Sequence, residues 1–544
     1  MDRILRPRDE HRRPEAHGPA WLAGGEPLTR RRLLQVGGAG LLALAGSGVL
    51  AACESETKPS APVHGGVLRF GAQGGASTDT LDANNVLTNT DYARASQLYD
   101  PLVRMDDRGQ AQFALAEAIT PNREATEWTI RLRSGVTFHD GRPLTPRDVL
   151  FTYDRIIRHG FPGRYSLGTL DVGASRILDP STLRLRFSKP YATLLDGLTA
   201  HWYLYIVPVG YDPTRPVGTG PFKLTSFTPG QQSVMTRNAD YWDHPKPYLD
   251  QVITVNVAEE TAQINGLLSG QFDAVNYLSG GSARVLASVK GSGTPRLVIS
   301  NRTGGWAPFT MRVDRAPYSD VRVRTALKLA IDRPAMIQKV FEGYGQVGND
   351  VFGIFDKAYD PSLFPQRHQD LEQAMSLLKA AGYPDLSVRL ITTANAPGEV
   401  PAASVFADQV GAAGIRVSVV NQPVTPYFAG SYLKVPFSQD YWPYWPYLTN
   451  VAVATLKGAP FNATHFNDSR YDGLYEDALS TTDAALRKEI AQEMMRIDYE
   501  EGGNIIPYFF PVIDAVAPHL HGVEPTVTGQ AMRTFQFQEF WMTK

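Results

Sequence analysis

The 544-residue chain sets 53 Lys and Arg against 55 Asp and Glu, a formal charge of −2. No lysine-rich block or basic stripe interrupts that balance, so nucleic acid is excluded as a natural partner. A single cysteine excludes intramolecular disulfides and thiolate metal clusters, which leaves core burial to stabilise a chain long enough for about three domains.

The first elements in chain order belong to export and not to a core. Thr29-Arg30-Arg31-Arg32-Leu33-Leu34-Gln35 precedes a run of small and apolar residues from Val36 to Ala52, which reads as a twin-arginine signal. That run is shorter and richer in Gly and Ala than the ~20 apolar residues of a stable membrane span. Leu50-Ala51-Ala52-Cys53 closes it and resembles the lipobox at which bacterial lipoproteins are diacylated on sulfur and then cut. Cys53 is therefore expected to carry lipid and to become residue one, against the plain alternative of a buried apolar cysteine. Residues 1–52 are the expected signal and 53–64 a flexible linker. Removing 1–52 takes away eight basic and five acidic residues, leaving 45 and 50.

From Gly65 onward short strands and helices alternate with no fixed repeat. Val67 to Phe70 reads as a strand entering the glycine-rich loop 71–77, and Glu127 to Arg133 alternates in polarity as a half-buried strand does. Asp140-Gly141 marks a tight turn, and Thr145-Pro146 caps a helix that runs through Asp148, Val149, Phe151 and Tyr153. Gly218-Thr219-Gly220-Pro221 predicts a sharp chain reversal. Val323, Ala326, Leu327, Ala330 and Ile331 form the stripe of an amphipathic helix, and Asp332 caps a second helix that ends at Gly343. Leu371 to Ala381 is a helix between Asp370 and Gly382. Strand Ser387 to Thr392, helix Pro401 to Ala413 and strand Ile415 to Val420 make one βαβ unit. A long helix with Leu486, Ile490, Met494 and Ile497 on one face then leads to an apolar strand around Ile505 to Phe510.

Several of these stretches resemble the extracytoplasmic solute-binding proteins of the peptide and nickel class of ABC importers, the oligopeptide-binding family, also called family 5. They are Tyr99-Asp100-Pro101-Leu102-Val103, Gly135 to Gly141, Thr145 to Val149, Val217-Gly218-Thr219-Gly220-Pro221-Phe222, Arg237 to Trp242, and Asp320 to Leu327. The order and spacing carry the resemblance, which covers nearly all of the chain beyond Cys53. It implies an α/β, two-lobed periplasmic-binding-protein fold of type II, with mixed sheets flanked by helices, a hinge and an extra small domain. On that pattern a discontinuous first lobe takes 65–95, 206–295 and 503–544, the small domain 96–205, and the second lobe 296–502. Gly218, Gly220, Asp140, Asp148, Arg322 and Arg324 read as turn and helix-end residues and not as a ligand site.

The densest aromatic stretch is Asp440-Tyr441-Trp442-Pro443-Tyr444-Trp445-Pro446-Tyr447. Its prolines forbid a regular helix or central strand, and consecutive aromatics in an irregular segment cannot all face one core. In peptide-binding members of the family an aspartate of this region pairs with the peptide's amino terminus, and Asp440 is the matching position; a solvated loop acid is the plain alternative. An Asp-Pro pair common at that point of the family is replaced here by Trp442-Pro443-Tyr444-Trp445. The aromatic floor therefore also suits a sugar, an opine, or an apolar or cationic solute. Tyr441, Trp442, Tyr444, Trp445, Trp306 and Trp202 with Tyr203 are candidate contacts, the last two positions reading more readily as core.

The eleven histidines form no convincing ligand set, so no metal and no cofactor is expected; a solute that is itself a metal complex stays open. Gly343-Tyr344-Gly345-Gln346-Val347-Gly348 has the letters of a dinucleotide fingerprint but follows a helix. Ser55-Glu56-Thr57-Lys58 has serine-lysine spacing but lies in the linker, and no other hydrolase motif is present. The reading is a monomeric, lipid-anchored component on the outer face of the cell membrane or in the periplasm. It passes a solute, a peptide before other classes, to an ABC permease and its ATPase. A surface receptor or sensor with the same fold, or a secreted hydrolase, are the alternatives.

Overall fold

The computed structural model describes residues 61–543 apart from Leu87, Ala200 and Ser292. Cys53, the twin-arginine segment and the linker serine lie outside the described residues. Three sheets organise the rest.

The largest has seven strands, in the order Arg296–Ser300, Val512–Val516, Ala274–Val275, Val67–Gln73, Gln251–Val257, Gln232–Arg237 and Phe222–Thr228. Val67–Gln73 runs parallel to the strands on both its sides, Gln251–Val257 and Ala274–Val275, whereas the outer pairings are antiparallel. Strand Arg296–Ser300 pairs along its length with Val512–Val516. The second sheet has five strands, in the order Arg416–Asn421, Ser387–Thr392, Phe437–Gln439, Phe309–Met311 and Asn504–Ile505. The third is antiparallel, in the order Ala116–Pro121, Glu127–Leu132, Thr182–Phe187 and Leu170–Ile177.

Local sequence signals build these elements where expected. Thr145 and Asp148 form a reciprocal capping box on helix Pro146–His159, and Gly160 ends it in the left-handed conformation. Val149, Tyr153 and Ile156 of that helix bury against Trp128, Ile130, Leu183 and Leu185 of the third sheet. Asp332 and Asp370 cap helices Arg333–Phe341 and Leu371–Ala380. The βαβ unit forms, its strands paired parallel from Ser387↔Arg416 to Thr392↔Asn421. Its helix, Glu399–Gly411, begins two residues before Pro401, because proline in a first turn costs no hydrogen bond.

Two local expectations change. The apolar run at 505–510 is not one strand: Pro507 divides it into Asn504–Ile505, which pairs with Phe309–Met311, and Tyr508–Phe509, which pairs with Gln346–Val347. A proline cannot continue a hydrogen-bonded ladder. Leu486 is exposed, and only Met494 and Ile497 of the expected stripe are fully buried in helix Ala484–Glu501.

The family blocks meet in space. Asp100 is buried and accepts hydrogen bonds from Thr219 Oγ1 (3.1 Å), Tyr241 OH (3.1 Å) and Trp242 Nε1 (2.9 Å), with Arg104 at 3.3 Å. His139 N donates to Gly218 O (2.8 Å), and its Nε2 lies 3.0 Å from Gly220 O. Gly218 and Gly220 do not have positive φ. What they provide is room: a Cβ at either would lie 2.0 Å from Leu98 O or 2.4 Å from Leu98 C. These glycines let two backbones touch, a reason different from the chain reversal predicted.

Candidate functional site

The strand Phe437–Gln439 delivers Asp440. It pairs with Phe309–Met311, and the pairing continues irregularly as Trp306 and Trp442 exchange backbone hydrogen bonds of 2.9 Å each way. Asp440 is 6% exposed. Its carboxylate accepts from Tyr441 N (2.8 Å), Tyr432 OH (3.0 Å) and Trp442 Nε1 (3.1 Å). Burial pushes the carboxyl up to about 7, the three hydrogen bonds opposing it. No Lys, Arg or His forms an ion pair with it among the described residues. A solvated loop acid would have none of these properties.

The aromatics around it divide into two groups. Trp306, Trp442 and Tyr444 are core: Trp306 stacks on Phe352 at 5.0 Å and on Trp442 at 6.2 Å. Tyr444 packs edge-on against Phe355 and donates its backbone N–H to Thr528 O (3.1 Å). Trp202 is also buried, its ring 6.1 Å from Tyr92. Trp445 is half-buried and stands edge-on to both Trp442 (5.9 Å) and Tyr203 (6.4 Å), its indole N–H buried without a partner among the described residues.

Tyr441 is different. It keeps 37% of its surface accessible, yet its hydroxyl lies within electrostatic reach of Tyr92, Tyr203 and Tyr277, and desolvation pushes it well above the ordinary phenol range. Tyr441 thus combines an accessible surface with phenols contributed by three other segments of the chain. Tyr92 sits on helix Asn89–Leu98, and its hydroxyl bonds that of Tyr203 at 2.7 Å; Tyr277 OH donates to Gln530 Oε1 at 2.8 Å. Tyr277 follows strand Ala274–Val275 of the seven-stranded sheet, whereas Tyr441 follows the five-stranded sheet. Tyr441 and Tyr277 therefore bring segments that follow two different sheets toward each other.

Sequence reasoning missed Tyr92, Tyr277, Tyr432 and Glu399 at this place. Tyr92 and Tyr432 carry no motif, but Glu399, just after Gly398 at a helix start, was a visible signal. The histidines stay apart: His519 lies 3.1 Å from Asp273, His521 stacks on Trp541, and His465 bonds Leu433 O. No group of three potential metal ligands occurs among the described residues. The 343–348 segment runs from a helix into strand Gln346–Val347, the reverse of the order a phosphate cradle needs.

Comparison with known proteins agrees with this architecture. Residues 110–458 match the model of the bacterial extracellular solute-binding proteins, family 5 middle region. The glutathione-binding protein GsiB of Escherichia coli O1:K1 is 24% identical over 446 residues, 78% of this chain and 85% of that protein. Among solved structures, Helicobacter pylori DppA in complex with the peptide STSA superposes with a TM-score of 0.76 at 20% identity, covering 89% of this chain and 99% of that one. AgaA of A. tumefaciens R10 in complex with agropinic acid gives 0.74 at 24% identity, covering 88% and 99%. The fold is the type II periplasmic-binding-protein fold, α/β with mixed sheets flanked by helices.

Proposed function

This chain belongs to the bacterial extracellular solute-binding proteins of family 5, and from that premise we infer that it captures a solute in the space beneath Tyr441 and delivers it to an ABC permease. The carrying observation is Asp440, a buried carboxylate without a cationic partner among the described residues, beside Tyr441, which keeps accessible surface. Such an acid suits a ligand ammonium group, because a charge-assisted hydrogen bond gains strength away from water. A peptide amino terminus is the first candidate, with opines, sugars and metal complexes behind it; proteins of similar fold have been solved with a peptide and with agropinic acid bound.

In this reading the lobes are 65–95 with 206–295 and 503–544, and 296–502, and 96–205 is the small domain. A solute touching both lobes stabilises the closed form, since only differential contact shifts such an equilibrium. Tyr441, Trp445 and Tyr203 form the wall of the site, and Trp306, Trp442, Tyr444 and Trp202 support it from the core. Lipid on Cys53, after twin-arginine export, tethers the monomer to the outer face of the membrane through the linker 53–64. No helix among the described residues is long and apolar enough to cross a membrane.

Native mass spectrometry of the purified protein, followed by thermal-shift screening with peptides, opines, sugars and metal complexes, tests the capture reading. A co-purifying solute or a ligand that raises Tm supports it; the absence of both across the panel overturns it. Fractionation tests the anchor: Cys53→Ala releases the processed protein from the membrane, and a variant that stays bound refutes lipidation at that residue.

A further inference from the structure

A second buried acid neighbours Asp440. Glu399 is 2% exposed and opens helix Glu399–Gly411 immediately after Gly398, whose φ is 78°. Its Oε2 accepts from the backbone N–H groups of Asn395 (2.8 Å) and Ala396 (2.7 Å), and no hydrogen bond to Oε1 occurs among the described residues. Glu399 lies within electrostatic reach of Asp440, and neither forms an ion pair among the described residues. The titratable groups facing the two acids are Tyr427, Tyr432, Tyr441 and Tyr508, all phenols that burial keeps neutral.

Two further groups are left without partners here. The hydroxyl of Tyr508, a residue 0% exposed, has no hydrogen bond among the described residues and lies within electrostatic reach of Glu399. Packing puts the two in one neighbourhood: Tyr508 stands edge-on to Phe341 at 4.9 Å, and Gly398, the residue before Glu399, packs on the same ring, where a Cβ would come within 2.5 Å. Next to Asp440 in the chain, Gln439 is also fully buried and its Nε2 has no partner among the described residues. Buried polar groups are satisfied almost everywhere in folded proteins, so a concentration of orphans beside two unpaired acids marks a place that a ligand completes.

We propose that Glu399 is a second cation anchor of this site, so that the captured solute carries two basic groups, as does a peptide whose first residue is lysine or arginine. This rests on the capture reading and names its ligand class. The amino terminus takes Asp440; the second ammonium or guanidinium donates to Glu399 Oε1 and Tyr508 OH; the peptide carbonyl accepts from Gln439 Nε2. Desolvation, with Asp440 adding to it, pushes Glu399 up to about 8. A dicationic ligand that ionises both acids therefore expels protons at pH 7.

Isothermal titration with Lys-Ala and Ala-Ala, in buffers of different ionisation enthalpy, tests the proposal on the wild type, Glu399→Gln and Tyr508→Phe. Lys-Ala is expected to bind ~10–100-fold more tightly than Ala-Ala, the range for one charged hydrogen-bonded contact, and to release more protons. Glu399→Gln keeps an oxygen for the Asn395 and Ala396 N–H groups, so it separates the charge from the turn-capping role; it should erase the Lys-Ala preference. Tyr508→Phe should reduce that preference and serves if the first variant does not fold. Equal wild-type affinity for the two dipeptides overturns the proposal while leaving capture standing. Failure of both, with no other solute binding, overturns capture and this proposal together.

Discussion

Replacing Asp440 by asparagine removes a charge while preserving the shape of the side chain and an oxygen for its donors. The native carboxyl sits near 7 because burial destabilises its charged form, against an ordinary value of 3.8. The folded state therefore holds the proton more tightly than the unfolded chain. Stability from this group is full below pH 3.8, declines as pH rises, and is gone above about 7. Integrating the linkage between pH 5 and pH 8 gives a loss of about 2–3 kcal/mol for the ligand-free wild type, which asparagine cannot suffer. Glu399, Asp498 and Asp514 are raised in the same direction, but they are present in both proteins and largely cancel in the difference. Relief of Glu399 when its charged neighbour is removed adds to the gain at high pH. Melting curves of wild type and Asp440→Asn at pH 5, 6, 7 and 8 should thus diverge, with the variant's Tm rising by about 2–3 °C relative to wild type across that range. Parallel pH profiles, or a variant that loses ground as pH rises, would refute a desolvated and unpaired Asp440. A stabilised variant that also loses peptide binding would show a site that trades stability for a charge held ready.

Asp100→Ala strands Arg104 and three donors from Thr219, Tyr241 and Trp242, so urea unfolding should show a loss of about 3–5 kcal/mol. Gly220→Ala drives a methyl against the backbone of Gln97 and Leu98, and denaturation should register at least about 1–3 kcal/mol, because backbone cannot move aside as a side chain does. Trp306→Ala removes a ring stacked between Phe352 and Trp442 and should cost about 3–5 kcal/mol. Tyr441→Ala, by contrast, should leave Tm within a degree or so while weakening solute binding by titration. Equal destabilisation by the two would place Tyr441 in the core.

Much of the local architecture was written in short-range signals. Thr145 with Asp148, Asp332, Asp370 and the αL glycine Gly382 mark helix ends because capping is satisfied within three or four residues. The alternation at 127–133 and the spacing of the βαβ unit survive for the same reason: periodicity reports which face is buried. It also fails predictably, as at Pro507, where an apolar run is continuous in hydropathy but not in hydrogen-bonding capacity. The family pattern singled out Asp440 as a candidate, whereas neither its burial nor the different burial of its neighbouring aromatics was legible. Hydropathy gives Trp442 and Trp445 the same weight, although one belongs to the core and the other stands beside Tyr203.

The sequence by itself determined the family, through ordered blocks whose separate roles looked merely structural. Only the tertiary structure decided why those blocks exist: Asp100, Thr219, Tyr241 and Trp242 are far apart in the chain and meet in one buried carboxylate's hydrogen bonds. Likewise only packing brings Glu399 within electrostatic reach of both Asp440 and Tyr508 and sets Tyr441 near Tyr92, Tyr203 and Tyr277. Burial of a given face is a property of local composition, whereas the partner it meets, and the charge left without one, depends on how distant faces close on each other.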